Sequence, residues 1–228
     1  MSPWQTLVLV VASVVFAYGG NTASLKAIRI APNPGYSLVL SKSYVLFTTI
    51  VAVLLLSADI SARNVAAILL IVGFSALIMV NRKGAKHVAN NEWVTLSFGA
   101  FFAWGMLSLS SKYLFNNGVS TIAFLIYLYA IVTLCIVFLN KIKKSSFTKL
   151  EKTDWILLFA TGVFSTLFNY GQFQAIKIAP NLGYVNAINA ASISLVTILA
   201  VVFFKDELTL KKGIGVAGVS LGLLLLVI

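Results

Sequence analysis

Charged residues are scarce in this chain, because Asp, Glu, Lys and Arg make up only 10% of its 228 residues. An ordinary soluble domain has about 25% charged residues and roughly 45–50% apolar residues. Here 60% of the residues are hydrophobic, and the mean hydropathy is +0.98. This composition excludes an ordinary soluble domain, and the sequence therefore predicts an integral membrane protein.

Acidic side chains are absent from the long apolar runs. All six lie in loops or at predicted helix ends: Asp59, Glu92, Glu151, Asp154, Asp206 and Glu207. Proton-driven export of cationic drugs needs an acid inside the membrane, which exchanges a proton for the cation. The lack of such an acid disfavours a cationic-drug antiporter. It favours a neutral or anionic metabolite, such as an amino acid, as the substrate.

Cysteine and histidine each occur once. Cys135 has no second cysteine with which to form an intrachain disulfide. His87 lies in a Lys-rich loop, where we expect a solvated side chain and not a metal ligand. The sequence also contains no phosphate-cradling Gly-Lys motif, no Cys/His metal cluster and no nucleophile triad. We therefore expect no cofactor and no enzymatic activity.

The apolar runs divide into eight segments, and a spanning helix needs about 20 mostly apolar residues. The segments, A to H, lie near residues 4–25, 37–56, 63–81, 93–115, 119–140, 154–175, 183–204 and 212–228. Continuous apolar runs of this length predict helices, because barrel strands alternate polar and apolar residues. Segment A begins MSPWQT, without Lys or Arg, and is longer than the apolar region of a signal peptide. We therefore expect it to be a mature helix.

The net charge of +11 is distributed unevenly between the loops. Thirteen of the 17 Lys and Arg residues fall in alternate loops: Lys26, Arg29, Arg82, Lys83, Lys86, Lys141, Lys143, Lys144, Lys149, Lys152, Lys205, Lys211 and Lys212. The opposite loops are predicted to hold Arg63, Lys112 and Lys177. By the positive-inside rule, both termini lie outside the cytoplasm. The charge thus indicates membrane orientation and not nucleic-acid binding.

The chain contains an internal repeat. Residues 26–36, KAIRIAPNPGY, match residues 174–184, QAIKIAPNLGY, at eight of eleven positions. The same offset of 148 residues aligns Asn21 with Asn169, and DISAR at 59–63 with ELTLK at 207–211. Segments A–C therefore match F–H, five helices further on, so the second copy is inverted in the bilayer. Inverted repeats of this kind are typical of secondary transporters.

Three stretches also carry a resemblance to a known family: SFGAFFAWGMLSLSSKYLF at 97–115, AIKIAPNLGYVNAI at 175–188 and FFKDELTLKKGIGVAGVSLGLLLL at 203–226. They resemble the EamA-like branch of the drug/metabolite transporter superfamily, whose members have ten helices in two inverted five-helix repeats. The resemblance implies that 82–228 is a complete second repeat and 1–81 a first repeat with three helices. The chain would then be either a fragment, which we favour, or an eight-helix variant. The family's usual cytoplasmic termini are the reverse of the orientation indicated by the charges.

Four segments carry polar residues at helical spacing. These residues are Ser37, Ser41, Tyr44 and Thr48 in segment B; Trp104, Ser108 and Ser111 in D; Thr161, Ser165, Asn169 and Gln172 in F; and Asn186, Asn189 and Ser192 in G. They predict a shared wet interior. The alternative is that Ser and Thr bond their own helix, and that amides join neighbouring helices. For each hydroxyl alone we favour this alternative, whereas for the four amides we favour substrate binding.

The predicted substrate-binding residues are Asn21, Ser41, Lys42, Tyr44, Trp104, Ser108, Asn169, Gln172, Asn186 and Asn189. Lys42 is the one charge predicted to lie well inside a span. It could bind a substrate carboxylate or phosphate, act as a fixed positive charge, or extend its ammonium to the membrane surface. The glycines of segment H, Gly213, Gly215, Gly218 and Gly222, are expected to allow close helix packing and to have no substrate role.

Taken together, these features predict an all-α, polytopic membrane protein of eight transmembrane helices. We expect a secondary-type carrier in the cell membrane that exports a small neutral or anionic metabolite by alternating access of its two inverted halves. Segments B, D, F and G would line the cavity. The alternatives are a non-transporting membrane subunit or inactive fragment, and a lipid-linked sugar flippase. The expected partners are the bilayer and a small-molecule substrate, with no nucleic acid; a homodimer is an open option.

The orientation is testable by labelling a cysteine introduced into the 141–152 loop. Because this loop carries the largest group of Lys residues, we expect it to be cytoplasmic and unreactive towards an impermeant thiol reagent in intact cells. Reaction of the introduced cysteine in intact cells would place the loop outside and contradict the charge count.

Overall fold

The computed structural model describes residues 1–32, 34–79, 91–142, 151–205 and 209–227, and within these ranges all regular structure is helical. The helices are α1 (Pro3–Ile30), α2 in two segments (Pro34–Lys42 and Tyr44–Leu56), α3 (Ala62–Met79), α4 (Glu92–Asn116), α5 (Thr121–Ile142), α6 (Lys152–Ile178), α7 (Leu182–Phe204) and α8 (Leu210–Val227). Nine of the residues discussed above lie outside the described ranges: Arg82, Lys83, Lys86, His87, Lys143, Lys144, Lys149, Asp206 and Glu207.

The eight helices confirm the eight segments predicted from hydropathy. By length and composition, six of them could cross a membrane: α1, α2, α4, α5, α6 and α7. The third, α3, is a shorter apolar helix, and α8 has 18 residues. Because a helix satisfies its own backbone polar groups, it is the element that a bilayer tolerates. The chain is therefore an all-α, multi-pass membrane protein.

The two copies of the repeated phrase end their helices in the same way. The first helix continues to Ile30 and the sixth to Ile178, so the expectation that Lys26, Arg29 and Lys177 lie in loops was wrong. The same expectation was wrong for five residues in the terminal turns of helices: Arg63, Lys141, Lys152, Lys211 and Lys212. Each helix stops at an alanine that precedes a proline, and both alanines are extended, with ψ of 146° at Ala31 and 138° at Ala179. Proline has no N–H to donate and disfavours the helical conformation of the residue before it.

Two helices are irregular in their interior. In α1, residues Ala12–Gly19 form a π-helical segment, which is a rare conformation often found at functional sites. In α2, the helix is interrupted at Ser43, whose ψ is −4° and whose hydroxyl group donates to the Val39 carbonyl at 2.8 Å. Neither irregularity contains a proline, so neither could be read from the sequence as a helix break.

Contacts with α4 show that the two repeat units are antiparallel. At the start of α1, the Gln5 side chain donates to the Asn117 carbonyl at the end of α4, at 3.0 Å. At the end of α6, the Ala179 carbonyl accepts from Lys112, which lies near the same end of α4, at 2.8 Å. The first helix therefore starts where its counterpart α6 ends. This arrangement agrees with the inversion predicted from the repeat.

Glycines allow a close helix contact between α3 and α8. A side chain at Gly222 would place its Cβ 2.7 Å from Ile71, and one at Gly218 would overlap the Phe74 ring. The third glycine in this row, Gly215, faces Ile78. Because these residues are spaced by three and four, they form one face of α8. The expected packing role of the segment H glycines is confirmed for these three, whereas Gly213 has no neighbour within 4 Å of such a Cβ.

The charge count assigned Lys112 to a loop, but this residue lies inside α4. Its ammonium donates to three backbone carbonyls at the end of α6: Ile176 at 3.0 Å, Lys177 at 3.0 Å and Ala179 at 2.8 Å. The last carbonyls of a helix have no partner within the helix and carry a partial negative charge. Lys112 therefore caps α6 and holds the α6–α7 corner against α4.

The glycine contact predicts opposite effects for two alanine substitutions in α8. Gly213→Ala should raise the stability of the detergent-purified protein by up to about 1 kcal/mol, because alanine favours a helix over glycine. Gly218→Ala should lower the stability by about 1–3 kcal/mol, because its methyl group displaces Phe74. Melting temperatures followed by circular dichroism would compare the two variants. A rise for both would contradict the close packing of α3 on α8.

The cap on α6 predicts a loss of stability on Lys112→Met. Hydrogen bonds from a charged group contribute about 1.5–3 kcal/mol, so the melting temperature should fall by several degrees. Lys177→Met is the matched control, since this exposed lysine belongs to the same corner and its side chain has no such role. Equal melting temperatures for the two variants would argue against the cap.

Candidate functional site

Asn186 lies at the centre of a buried polar cluster that joins three helices. Its side-chain nitrogen donates to the hydroxyl group of Thr48 on α2 at 3.0 Å. Its side-chain oxygen accepts from the hydroxyl groups of Tyr44 on α2 and Ser108 on α4, both at 3.4 Å. All four side chains are buried, and a further amide, that of Asn189, interacts with the Tyr44 hydroxyl group. Four predicted site residues, Tyr44, Ser108, Asn186 and Asn189, therefore meet here.

The hydrogen bonds in this cluster are unequal in strength. The bond to Thr48 has ordinary length, whereas the two bonds at 3.4 Å lie beyond the usual 2.7–3.2 Å for protein hydrogen bonds. A buried amide whose oxygen is only weakly satisfied can exchange these partners for a polar group of a ligand. The cluster therefore offers an amide oxygen that could accept a hydrogen bond from an uncharged hydroxyl or amide group.

A second cluster surrounds Trp104, the middle residue of α4. The indole N–H donates to the Asn21 side-chain oxygen on α1 at 3.1 Å. The Lys42 ammonium lies over the Trp104 ring, 5.4 Å from a ring centroid. The Tyr44 ring meets Trp104 edge-on at 6.1 Å. Because Tyr44 also contacts Asn186, the two clusters form one continuous polar tract that contains seven predicted site residues: Asn21, Lys42, Tyr44, Trp104, Ser108, Asn186 and Asn189.

Ser41 contributes to helix packing. Its hydroxyl group donates to the Ser97 carbonyl on α4 at 3.4 Å, and Ser37 accepts from the Ser97 hydroxyl group at 2.9 Å. Both serines are fully buried between α2 and α4. This arrangement is the helix-joining alternative considered for the hydroxyl groups of the α2 stripe.

The polar residues of α6 lie away from Asn186. Asn169 donates to the Tyr129 hydroxyl group on α5 at 2.9 Å, which joins α5 to α6. Gln172 faces a cavity of about 570 Å³ between α6 and α7, which Asn189 and Ser192 also line; most of its other lining residues are apolar. The structure therefore groups seven of the predicted site residues into one tract on α1, α2, α4 and α7, and the cavity beside α6 shares Asn189 with this tract.

Several contributing residues were absent from the predicted site. Thr48 belongs to the polar face of α2, and its spacing of four residues from Tyr44 was a sufficient signal to include it. Ser97, Tyr129 and Lys112 carry no comparable signal, because their partners lie on other helices. In the part of the chain that the structure describes, no three His, Cys, Asp or Glu side chains are grouped so as to hold a metal ion.

Comparison with known proteins identifies the family. A crystal structure of a protein with 17% sequence identity superposes with a TM-score of 0.82, covering 100% of this chain and 79% of that chain. At this identity the likeness shows the fold alone. No curated protein matches the sequence significantly. The EamA-like transporter family matches residues 91–228, which include α4–α8 and more than half of the chain. The chain therefore belongs to the EamA-like transporter family, within the drug/metabolite transporter superfamily.

Proposed function

We propose that this transporter is a secondary-type exporter of a small neutral or anionic metabolite, such as an amino acid, and that it works by alternating access. The observation that carries the proposal is the hydrogen bonding of Asn186 to both α2 and α4. A polar side chain in a membrane is costly unless it is paired, and such residues commonly mark substrate pathways. The weak pairing of Asn186 leaves room for a ligand.

Alternating access is supported by the position of this cluster between the inverted units. Asn186 lies on α7, in the second copy of the repeat, whereas Tyr44 and Thr48 lie on α2, in the first. Rocking of one unit against the other would first stretch the 3.4 Å hydrogen bond from Tyr44 to Asn186, because it is weaker than the 3.0 Å bond from Asn186 to Thr48. Since the units are related by inversion, the opposite movement would open the site to the opposite side of the membrane.

The substrate charge is argued from the position of the acidic residues. The four that the structure describes lie at the membrane ends of helices or between them: Asp59 between α2 and α3, Glu92 at the start of α4, and Glu151 and Asp154 at the start of α6. No described hydrogen bond or ion pair joins any of these four carboxylates to the side chains of the Asn186 cluster. A cationic substrate would have no counter-charge from them, which favours a neutral or anionic one.

The cavity between α6 and α7 supports a second candidate function. A lipid-linked sugar flippase needs a lateral opening, in which the lipid chains contact apolar residues while the sugar contacts polar ones. The α6–α7 cavity combines both kinds of lining, with Gln172 and Asn189 among mainly apolar side chains. Flipping of a lipid-linked sugar in proteoliposomes, without export of water-soluble metabolites, would favour this function over metabolite transport.

Asn186→Leu should abolish most of the transport. The substitution keeps the branched shape and the number of side-chain heavy atoms but removes both the donor and the acceptor, and it leaves the Tyr44 and Ser108 hydroxyl groups without this partner. Loss of such polar contacts reduces binding by about ten- to a hundredfold. Metabolites exported by overexpressing cells, identified in the medium by mass spectrometry, would measure the effect.

Thr197→Val is the matched control on α7. The Thr197 hydroxyl group donates to the Ile193 carbonyl of its own helix at 2.8 Å, so its removal alters a buried polar group without touching the cluster. The amount of each variant in the membrane should be equal by immunoblot. Export that persists in Asn186→Leu at the wild-type level would refute the role of the cluster.

A further inference from the structure

Lys42 carries a positive charge for which the described part of the chain supplies no counter-charge. In the described ranges its ammonium forms neither an ion pair nor a hydrogen bond, and its recorded partner is the face of the Trp104 ring. The residue lies eight positions after Pro34, or about 12 Å along the helix at 1.5 Å per residue. Because the hydrocarbon core is about 30 Å thick, this depth is close to the middle of the membrane.

Lys112 shows how this fold satisfies a lysine when the role is structural. Its three ammonium protons meet three backbone carbonyls at 2.8–3.0 Å. Lys42 meets none, although it is the more deeply placed of the two. A cation–π contact is worth about 0.5–2 kcal/mol, which does not offset the loss of hydration of an ammonium group in the membrane. We therefore expect Lys42 to make the folded protein less stable than an apolar side chain at this position would.

Trp104 is held in the orientation that faces Lys42. Its indole N–H is fixed by Asn21, and its ring is contacted edge-on by Tyr44. Asn21 is exposed, so the group is accessible from the α1 side. Trp104 lies in the middle of α4, and Asn21 lies in the turn that follows the π-helical segment of α1. Lys42 is the last residue before the interruption in α2. Irregular helices at the membrane midplane are typical of transporter binding sites.

We propose that Lys42, with Asn21 and the face of Trp104, binds the carboxylate group of a small substrate that carries one such group. The proposal rests on the proposed transport function and adds the class of substrate. The carboxylate replaces the ring as the partner of the ammonium, and the Asn21 amide supplies a second donor. The rest of the substrate extends along Tyr44 to the Asn186 cluster, which binds its uncharged polar groups.

The charge balance favours a carboxylate over a phosphate. One ammonium neutralises one carboxylate, whereas a phosphate monoester carries a charge of about −1.5 to −2 at neutral pH. Two further described lysines on α1 and α4 cannot supply a second charge, because Lys26 is paired with Glu92 and Lys112 is committed to the α6 carbonyls. A phosphate bound here would keep an uncompensated charge within the membrane, at a high energetic cost.

Proteoliposomes that contain the full chain provide the test. The radiolabelled probes are L-threonine, L-glutamine and pyruvate as single carboxylates, glycerol 3-phosphate as a phosphate and sorbitol as a neutral solute. We expect uptake of at least one carboxylate, reduced about ten- to a hundredfold by Lys42→Met, as for loss of a charged hydrogen bond. Lys42→Arg should retain part of the uptake. Lys141→Met, at the exposed end of α5, should retain all of it.

Thermal stability distinguishes a ligand-binding lysine from a structural one. Removal of an unpartnered buried charge should stabilise the protein, so Lys42→Met should melt above the wild type. A lysine that held the fold together would give a lower melting temperature. Lost carboxylate uptake together with a raised melting temperature is the combination expected for a binding site.

The remaining outcomes separate the two proposals. Carboxylate uptake that Lys42→Met leaves unchanged would refute the Lys42 site but not the transporter. Uptake of glycerol 3-phosphate or sorbitol alone would refute the carboxylate class and likewise leave the transporter standing. If none of the probes entered and no metabolite export from cells were detected, both proposals would be refuted.

Discussion

The lack of water in the hydrocarbon core determines how every polar group of this chain is arranged. Backbone N–H and C=O groups form hydrogen bonds within their own helices. Where a Ser or Thr hydroxyl group donates a described hydrogen bond, the acceptor is likewise in most cases a backbone carbonyl of its own helix. Ser13 donates to the carbonyl of Leu9, and Thr49 to that of Val45, one turn earlier in their own helices. Lys112 obtains its partners from the end of α6. Two groups depart from this pattern: the Lys42 ammonium, which contacts an aromatic ring, and the Asn186 oxygen, which accepts two long hydrogen bonds. The proposed binding site rests on these two groups.

Close packing supplies the framework that keeps these polar groups in position. The glycine face of α8 lets α3 approach until Phe74 and Ile71 fill the space that side chains would occupy. On the other side of the molecule, Gly105 of α4 receives the ring of Phe47 from α2. Van der Waals contact is a main source of helix association in lipid, because lipid chains are as apolar as the side chains. These contacts hold α3 on α8 and α2 on α4, and the second contact keeps Lys42 and Tyr44 of α2 beside Trp104 of α4.

The sequence contained enough information for the spans and for the faces of individual helices. Hydropathy located the eight helices, and the spacing of Ser37, Ser41, Tyr44 and Thr48 identified the buried face of α2. Periodicity shows which residues share a face, but not which helix that face meets. For this reason Asn169 and Asn186 looked equivalent, although one joins α5 to α6 and the other joins α7 to α2 and α4. The cap made by Lys112 depends on a contact across 64 residues, which no local pattern encodes.

The irregularities of α1 and α2 connect the architecture to the site. A regular helix fixes each side chain by its spacing, whereas a π-helical segment or an interruption shifts everything beyond it around the axis. The shift in α1 comes just before Asn21, and the interruption in α2 separates Lys42 from Tyr44. Asn21 on α1 and both Lys42 and Tyr44 on α2 therefore contact the same residue, Trp104. Tyr44 contacts both Trp104 and Asn186, so one side chain joins the proposed carboxylate site to the contact between α2 and α7. In the proposed mechanism, binding at Lys42 would therefore be coupled to rearrangement at Asn186 through Tyr44.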